Sequence, residues 1–164
     1  MKTLYLARHA KSSWKHPELS DIERPLNKRG KRDAPIIGNL LKGKGVNPDL
    51  LISSPAVRAR KTAVTIAEII DYPKSKIIID VNIYESSSSE LINIIQGFDD
   101  KYNSVIMFGH NPGFTMLNNY LTESFIDNIP TCGVVGIRFN SSWEKIDSDS
   151  GKAFFFIYPK LFIK

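Results

Sequence analysis

Arginine and histidine adjoin at Arg8-His9, and a second arginine, Arg58, follows the Ser53-Ser54-Pro55 stretch. A second histidine, His110, follows Gly109, and a carboxylate, Glu85, lies between the two groups in sequence. These side-chain types suit phosphoryl transfer. The transferring group is strongly anionic and spreads charge over its equatorial oxygens, so catalysis is mostly positioning and electrostatic stabilisation. Two arginines grip such oxygens with a planar fork that lysine cannot copy. A histidine attacks phosphorus through one ring nitrogen if the other keeps its proton on a fixed acceptor. Taken singly, an arginine at a strand end or a histidine beside a glycine is an ordinary structural residue. The case rests on where the chain places them together.

The apolar pattern alternates strand and helix. Strands are predicted at 3–7, 49–53, 76–81 and 104–108, and helices at 29–41, 56–70, 90–98 and 113–121. Gly43 and Gly45 mark the stop of the first helix, Pro55 suits the start of the second, and the Ser86–Ser89 run suits the start of the third, with a serine cap and Glu90 in the first turn. Two more strands, 134–139 and 153–158, have no helix between them and are expected to pair antiparallel at one edge. This order predicts an α/β fold: a three-layer α/β/α sandwich with a mostly parallel central sheet and an antiparallel edge strand. In such sheets ligands bind beyond the carboxyl ends of the strands. Arg8-His9, Ser53-Ser54 with Arg58, Glu85 and Gly109-His110 all fall on that rim.

The stretch Leu4-Tyr5-Leu6-Ala7-Arg8-His9-Ala10-Lys11 resembles the Arg-His-Gly signature of the histidine phosphatase superfamily, branch 1. Ser53-Ser54-Pro55-Ala56-Val57-Arg58 is similar to that family's second signature, and Gly109-His110-Asn111-Pro112 to its third. Arg24-Pro25-Leu26 followed by Arg29-Gly30 is similar to a further stretch near the front of these proteins. The pieces run in the family's order. The resemblance implies a phosphoglycerate mutase-like fold, His9 as covalent nucleophile, and Arg8, Arg58 and His110 completing a phosphate pocket. It also implies no metal and no organic cofactor. The compact length is similar to the SixA-like phosphohistidine phosphatases. Ala10 departs from the usual glycine. Glu85 is the candidate general acid, at the place where many relatives carry a carboxylate. A site with weak acid catalysis favours P–N bonds, because a protonated imidazole leaves as a neutral ring whereas an alkoxide needs a proton.

A rival pattern sets Cys132 five residues before Arg138, the spacing of cysteine-dependent phosphatases. That mechanism needs a helix beginning near the arginine, and the residues from Val134 read as strand instead. A half-buried cysteine at a strand start is the plainer expectation. A phosphoprotein-binding module without catalysis is disfavoured by the intact His9. A small-molecule phosphomonoesterase using the same site is the alternative on the enzyme side. His9, His16 and His110 show no metal-ligand spacing.

With 164 residues, one domain over 1–164 is expected. The charge of +5, from 22 basic and 17 acidic residues, favours anionic partners without selecting nucleic acid. The cluster Lys28, Arg29, Lys31 and Arg32 lacks the interleaved aromatics of a base-stacking surface and reads as a solvated helix start. Trp14 is a candidate either to cap the mouth of the site or simply to pack there, and the sequence does not choose. A single cysteine, no leader pattern and no long apolar run suggest a cytoplasmic protein without a membrane partner; no nucleic-acid partner is expected, and a monomer is the default. Its expected partner is a phosphorylated protein, or else a small phosphorylated metabolite.

Overall fold

Six strands form one sheet in the order β3-β2-β4-β1-β5-β6 in the computed structural model, which describes residues 1–163. The strands are β1 (Lys2–Arg8), β2 (Leu50–Ser53), β3 (Ile78–Ile79), β4 (Ser104–Gly109), β5 (Val134–Phe139) and β6 (Gly151–Ile157). The helices are α1 (Lys28–Gly43), α2 (Val57–Ile69), α3 (Ser88–Gln96) and α4 (Gly113–Leu121). Strands β1 to β4 pair in parallel, so their carboxyl ends share one rim. The last two strands pair antiparallel to each other, as expected. The reversed strand is β5, one place in from the edge, because it also runs antiparallel to β1. It follows that β6, on the edge itself, runs with β1.

Side chains alternate along each strand, and the two resulting faces are both covered. Leu4 and Leu6 of β1, with Val105 and Met107 of β4, join Leu91 and Ile95 of α3 and Phe114 and Leu117 of α4 in one core. Tyr5 and Ala7, with Ile106 and Phe108, join Ile37 and Leu41 of α1 and Ala63 and Ile66 of α2 in the other. The three-layer arrangement follows from that division.

Local signals set the helix ends. Asn27 caps α1 by accepting from the Gly30 N–H at 2.9 Å. The helix closes where Val46 N donates to Leu41 O at 3.0 Å and Gly45 takes φ +75°, a conformation open to glycine. Ser87 and Glu90 form a reciprocal capping box at the start of α3. The strand predicted at 76–81 shrinks to Ile78–Ile79. Lys74–Lys76 and Val81–Ile83 form single 3-10 turns on either side, and this edge strand has a neighbour, β2, on one side only. Among the described residues no helix is long and apolar enough to cross a membrane.

Candidate active site

His9 leaves the end of β1 under restraint from both sides. Its N–H donates to Gly109 O at 3.1 Å, and its carbonyl accepts from Cys132 N at 2.9 Å. The next N–H, of Ala10, donates to Thr62 Oγ1 at 2.9 Å, and that hydroxyl donates to Arg58 O at 2.7 Å, tying the first turn of α2 to the exit of β1. The His9 ring is buried, and its Nδ1 lies 2.7 Å from Ala10 O. A carbonyl only accepts, so Nδ1 carries the proton and Nε2 is left with a lone pair. Burial is the main reason the ring stays neutral. The Ala10 hydrogen bond works the other way, but the charges of Arg58 and Arg8 and the neighbouring His110 add to burial, and the pKa falls to about 3.

The predicted partners gather around this ring. His110 sits at the end of β4 with its ring centroid 5.2 Å from that of His9. Its Nε2 lies 2.7 Å from Ser54 Oγ, and Arg58 Nη2 faces its Nδ1 at 3.5 Å. Burial, then the Arg58 charge, lower its pKa to about 4. Arg8 Nη1 donates to Ile129 O at 2.9 Å. Burial and the Arg58 charge pull the Arg8 pKa down, yet a guanidinium stays charged. The Nε atoms of Arg8 and Arg58 are both buried without a hydrogen-bond partner among the described residues. Two cationic N–H donors and two neutral imidazoles around one point suit a tetrahedral anion with several acceptor oxygens.

Glu85 stands apart from that cluster. It is exposed, with φ +54°, and lines a hollow of about 430 Å³ together with His110, Asn111 and Pro112. A hollow of about 620 Å³ lies elsewhere, lined by Arg138, Lys152 and Phe154 at the opposite end of the sheet, and holds none of the predicted site residues. Of the four clustered side chains, only His110 lines the smaller hollow, which lies beside the arginine–histidine cluster.

Three further residues complete the site. Asp21, in the 3-10 turn Asp21–Glu23, accepts from Arg58 Nη2 at 3.0 Å, from Arg24 Nε at 3.1 Å and from the Tyr84 hydroxyl at 2.5 Å. Its own carbonyl accepts from Arg58 Nη1 at 2.7 Å. Tyr84 meets the His110 ring edge to face at 5.5 Å. Arg24 is buried, donates to Ser12 Oγ at 2.9 Å and carries Trp14 stacked at 3.6 Å. Trp14 itself is largely exposed. Sequence reasoning singled out the Arg24-Pro25-Leu26 stretch without giving Arg24 a role. It passed over Asp21 and Tyr84, although Tyr84 adjoins the chosen Glu85.

Cys132 is fully buried, not half-buried, and precedes β5 with φ +62°. Burial, and then the Asp33 charge, push its thiol well above the ordinary range. Arg138 lies at the far end of β5 and stacks on Phe154 at 3.8 Å, so the two never face one anion. Among the described residues no group of three His, Cys, Asp or Glu side chains stands ready to hold a metal.

Comparison with known proteins points the same way. The model of the histidine phosphatase superfamily (branch 1) matches residues 4–126. An uncharacterized chloroplastic protein of Arabidopsis thaliana is 31% identical over 159 residues, which is 92% of this chain and 72% of that one. An uncharacterized Mycobacterium tuberculosis protein is 27% identical over 151 residues, 85% of this chain and 91% of that one. The solved structure of the protein histidine phosphatase SixA with tungstate superposes with a TM-score of 0.84 at 19% identity, covering 97% of this chain and 98% of that one. A candidate phosphohistidine phosphatase SixA from Agrobacterium tumefaciens gives 0.80 at 27% identity, covering 96% and 98%. A mycobacterial glucosyl-3-phosphoglycerate phosphatase gives 0.71 at 12% identity, covering 94% and 98%.

Proposed function

The chain belongs to the histidine phosphatase superfamily, branch 1, and from that premise we propose a single-domain phosphatase that acts through a phosphohistidine on His9. The observation that carries this reading is the fixed tautomer of His9. Its Nδ1–H is held on Ala10 O at 2.7 Å in a buried ring that stays neutral, with Nε2 free to attack. Arg8, Arg58 and His110 act as the catalytic grip on the phosphoryl oxygens.

In the first step Nε2 forms a bond to phosphorus as the bond to the leaving atom breaks. The leaving atom takes the electron pair and a proton. In the second step water attacks phosphorus, its proton passes to the carboxylate that gave up a proton in the first, and the N–P bond returns its electrons to the ring. The grip stays in place through both steps, where fixed donors stabilise charge most. Glu85 is the proposed proton donor to the leaving atom. Its exposure leaves it a weaker acid catalyst than a carboxylic acid shielded from water, and this favours substrates whose leaving group departs without much help.

Protein phosphohistidine is therefore the substrate class we propose, with a histidine-phosphorylated signalling protein as partner. The higher superposition on SixA than on the sugar-phosphate enzyme supports that order of preference. The test is a panel of a phosphohistidine protein, an aryl phosphate and an alkyl phosphate, with trapping of the phosphoenzyme. Acid-labile, alkali-stable label lost in His9→Ala is expected, with turnover highest on the P–N substrate. Faster turnover of the alkyl phosphate would instead make this a small-molecule phosphomonoesterase. Glu85→Gln should lower alkyl phosphate turnover more than phosphohistidine turnover.

A further inference from the structure

A guanidinium has two edges on which it can hold an anion, the end edge between its Nη atoms and the side edge formed by Nε with one Nη. On Arg58 the end edge is taken. Nη1 donates to Asp21 O at 2.7 Å and Nη2 to Asp21 Oδ2 at 3.0 Å. The side edge keeps its buried Nε–H without a partner among the described residues. Asp21 is held in turn by Arg24 Nε at 3.1 Å and by the Tyr84 hydroxyl at 2.5 Å. One carboxylate thus links the loop after β1, the first turn of α2 and the segment after β3.

Stability accounts for only part of this arrangement. The Arg58 side chain is buried and needs a partner, but the Asp21 side chain is 45% exposed and water shares its charge, which limits what the pair contributes to folding. Proton donation does not explain the rest. All three partners of the carboxylate are donors, which favours its ionised form. Burial alone would raise its pKa, but the Tyr84 hydrogen bond, the Arg58 charge and hydrogen bond and the Arg24 hydrogen bond outweigh that and bring it to about 2. Tyr84 is pushed up to about 12, first by burial and then by Asp21, so it remains a neutral donor. What is left is orientation.

We propose that Asp21 is a positioning residue for phosphoryl transfer: it occupies the end edge of Arg58 and so presents the side edge to the phosphoryl oxygens, with Tyr84 and Arg24 holding the carboxylate in place. The inference rests on the phosphatase reading and refines it. Asp21 touches no reacting atom in this scheme.

The experiment compares wild type with Asp21→Ala, Asp21→Asn, Tyr84→Phe and a control, Glu18→Ala, which removes a negative charge from the same loop. Readouts are kcat and KM on an aryl phosphate, the inhibition constant of orthovanadate, and the thermal midpoint. Misplacing a substrate grip costs on the order of 10- to 100-fold in rate. A fall of that size in kcat/KM is expected for Asp21→Ala, with weaker vanadate inhibition and a lowered midpoint, since the buried Arg58 loses its partner. Asp21→Asn, which keeps an acceptor for Arg58, should recover part of the loss. Tyr84→Phe should move in the same direction by less, and Glu18→Ala should match wild type. Should Asp21→Ala fail to fold, Asp21→Asn and Tyr84→Phe carry the comparison. Unchanged vanadate inhibition in folded Asp21 variants overturns the proposal, as does tighter inhibition, which would make the carboxylate a competitor of the phosphate. A wild type that turns over nothing on the panel and leaves no label on His9 overturns the phosphatase reading itself, a different outcome.

Discussion

Lowering the pH through the ordinary range of histidine is the sharpest way to probe the His9 environment. An unperturbed imidazole with pKa about 6.5 is roughly 97% protonated at pH 5, so a nucleophile of that kind loses about 30-fold in rate between pH 8 and pH 5. His9 is held to about 3 by burial above all, and at pH 5 only about 1% of it is protonated. The rate of phosphoenzyme formation should therefore stay flat through pH 6.5. Rapid-quench measurement of kcat/KM with two aryl phosphates of different second ionisation separates the substrate's own acid limb from any belonging to the enzyme. An enzyme limb near pH 6.5, common to both substrates, would refute the burial argument. The same perturbation has an equilibrium face. His9 and His110 are neutral in the fold to about pH 3 and 4, whereas in the unfolded chain they take up protons near 6.5. The unfolded state then binds more protons, and stability falls as pH drops from about 6.5 towards those values. The slope is about 1.4 kcal/mol per pH unit for each fully shifted histidine, or about 2 kcal/mol each by pH 5, less for the more open His110. Asp21, already ionised down to about pH 2, adds nothing in that window. Urea midpoints at pH 7 and pH 5 measure the drop, and His9→Asn should shrink it.

Arg58→Lys keeps the charge but replaces the planar fork that holds Asp21 and faces the phosphate with a single-point ammonium, so kcat/KM should fall by about 100-fold, read in steady-state assays. Cys132→Ser should leave phosphoenzyme labelling intact, because the buried thiol is unreactive at neutral pH and faces no arginine across an anion. Gly30→Ala would drive a methyl group into the carbonyl of Lys11, two residues beyond His9, and backbone cannot yield as a side chain can. A loss of about 1–3 kcal/mol in urea unfolding, with reduced activity, is expected.

Arg8-His9, Ser54 with Arg58, and His110 were legible in the sequence because each follows a short apolar run that ends as a strand. A parallel sheet lines up such ends whatever the details of the helices. Asp21 was not legible. It belongs to a loop whose single 3-10 turn has no apolar period, and it reaches the site through hydrogen bonds to residues 37 and 63 positions later. The run at 76–81 misled for a related reason. Its β-branched residues favour strand, but strand needs a partner, and β2 offers a register of only two residues there. The cysteine at 132 carried a spacing without a geometry, since motif distance along a strand separates two side chains rather than joining them.

His9 is pinned through its own N–H to β4 and through its carbonyl to the segment before β5. Its ring is held as well, by Nδ1–H on Ala10 O at 2.7 Å, so in the proposed mechanism it does not swing aside between half-reactions, and departing group and incoming water use the same open side of phosphorus, one after the other. Each displacement turns the phosphoryl group inside out, and two in succession restore its handedness. A phosphate ester made chiral with oxygen isotopes, transferred to an acceptor alcohol in place of water, should emerge with its configuration retained.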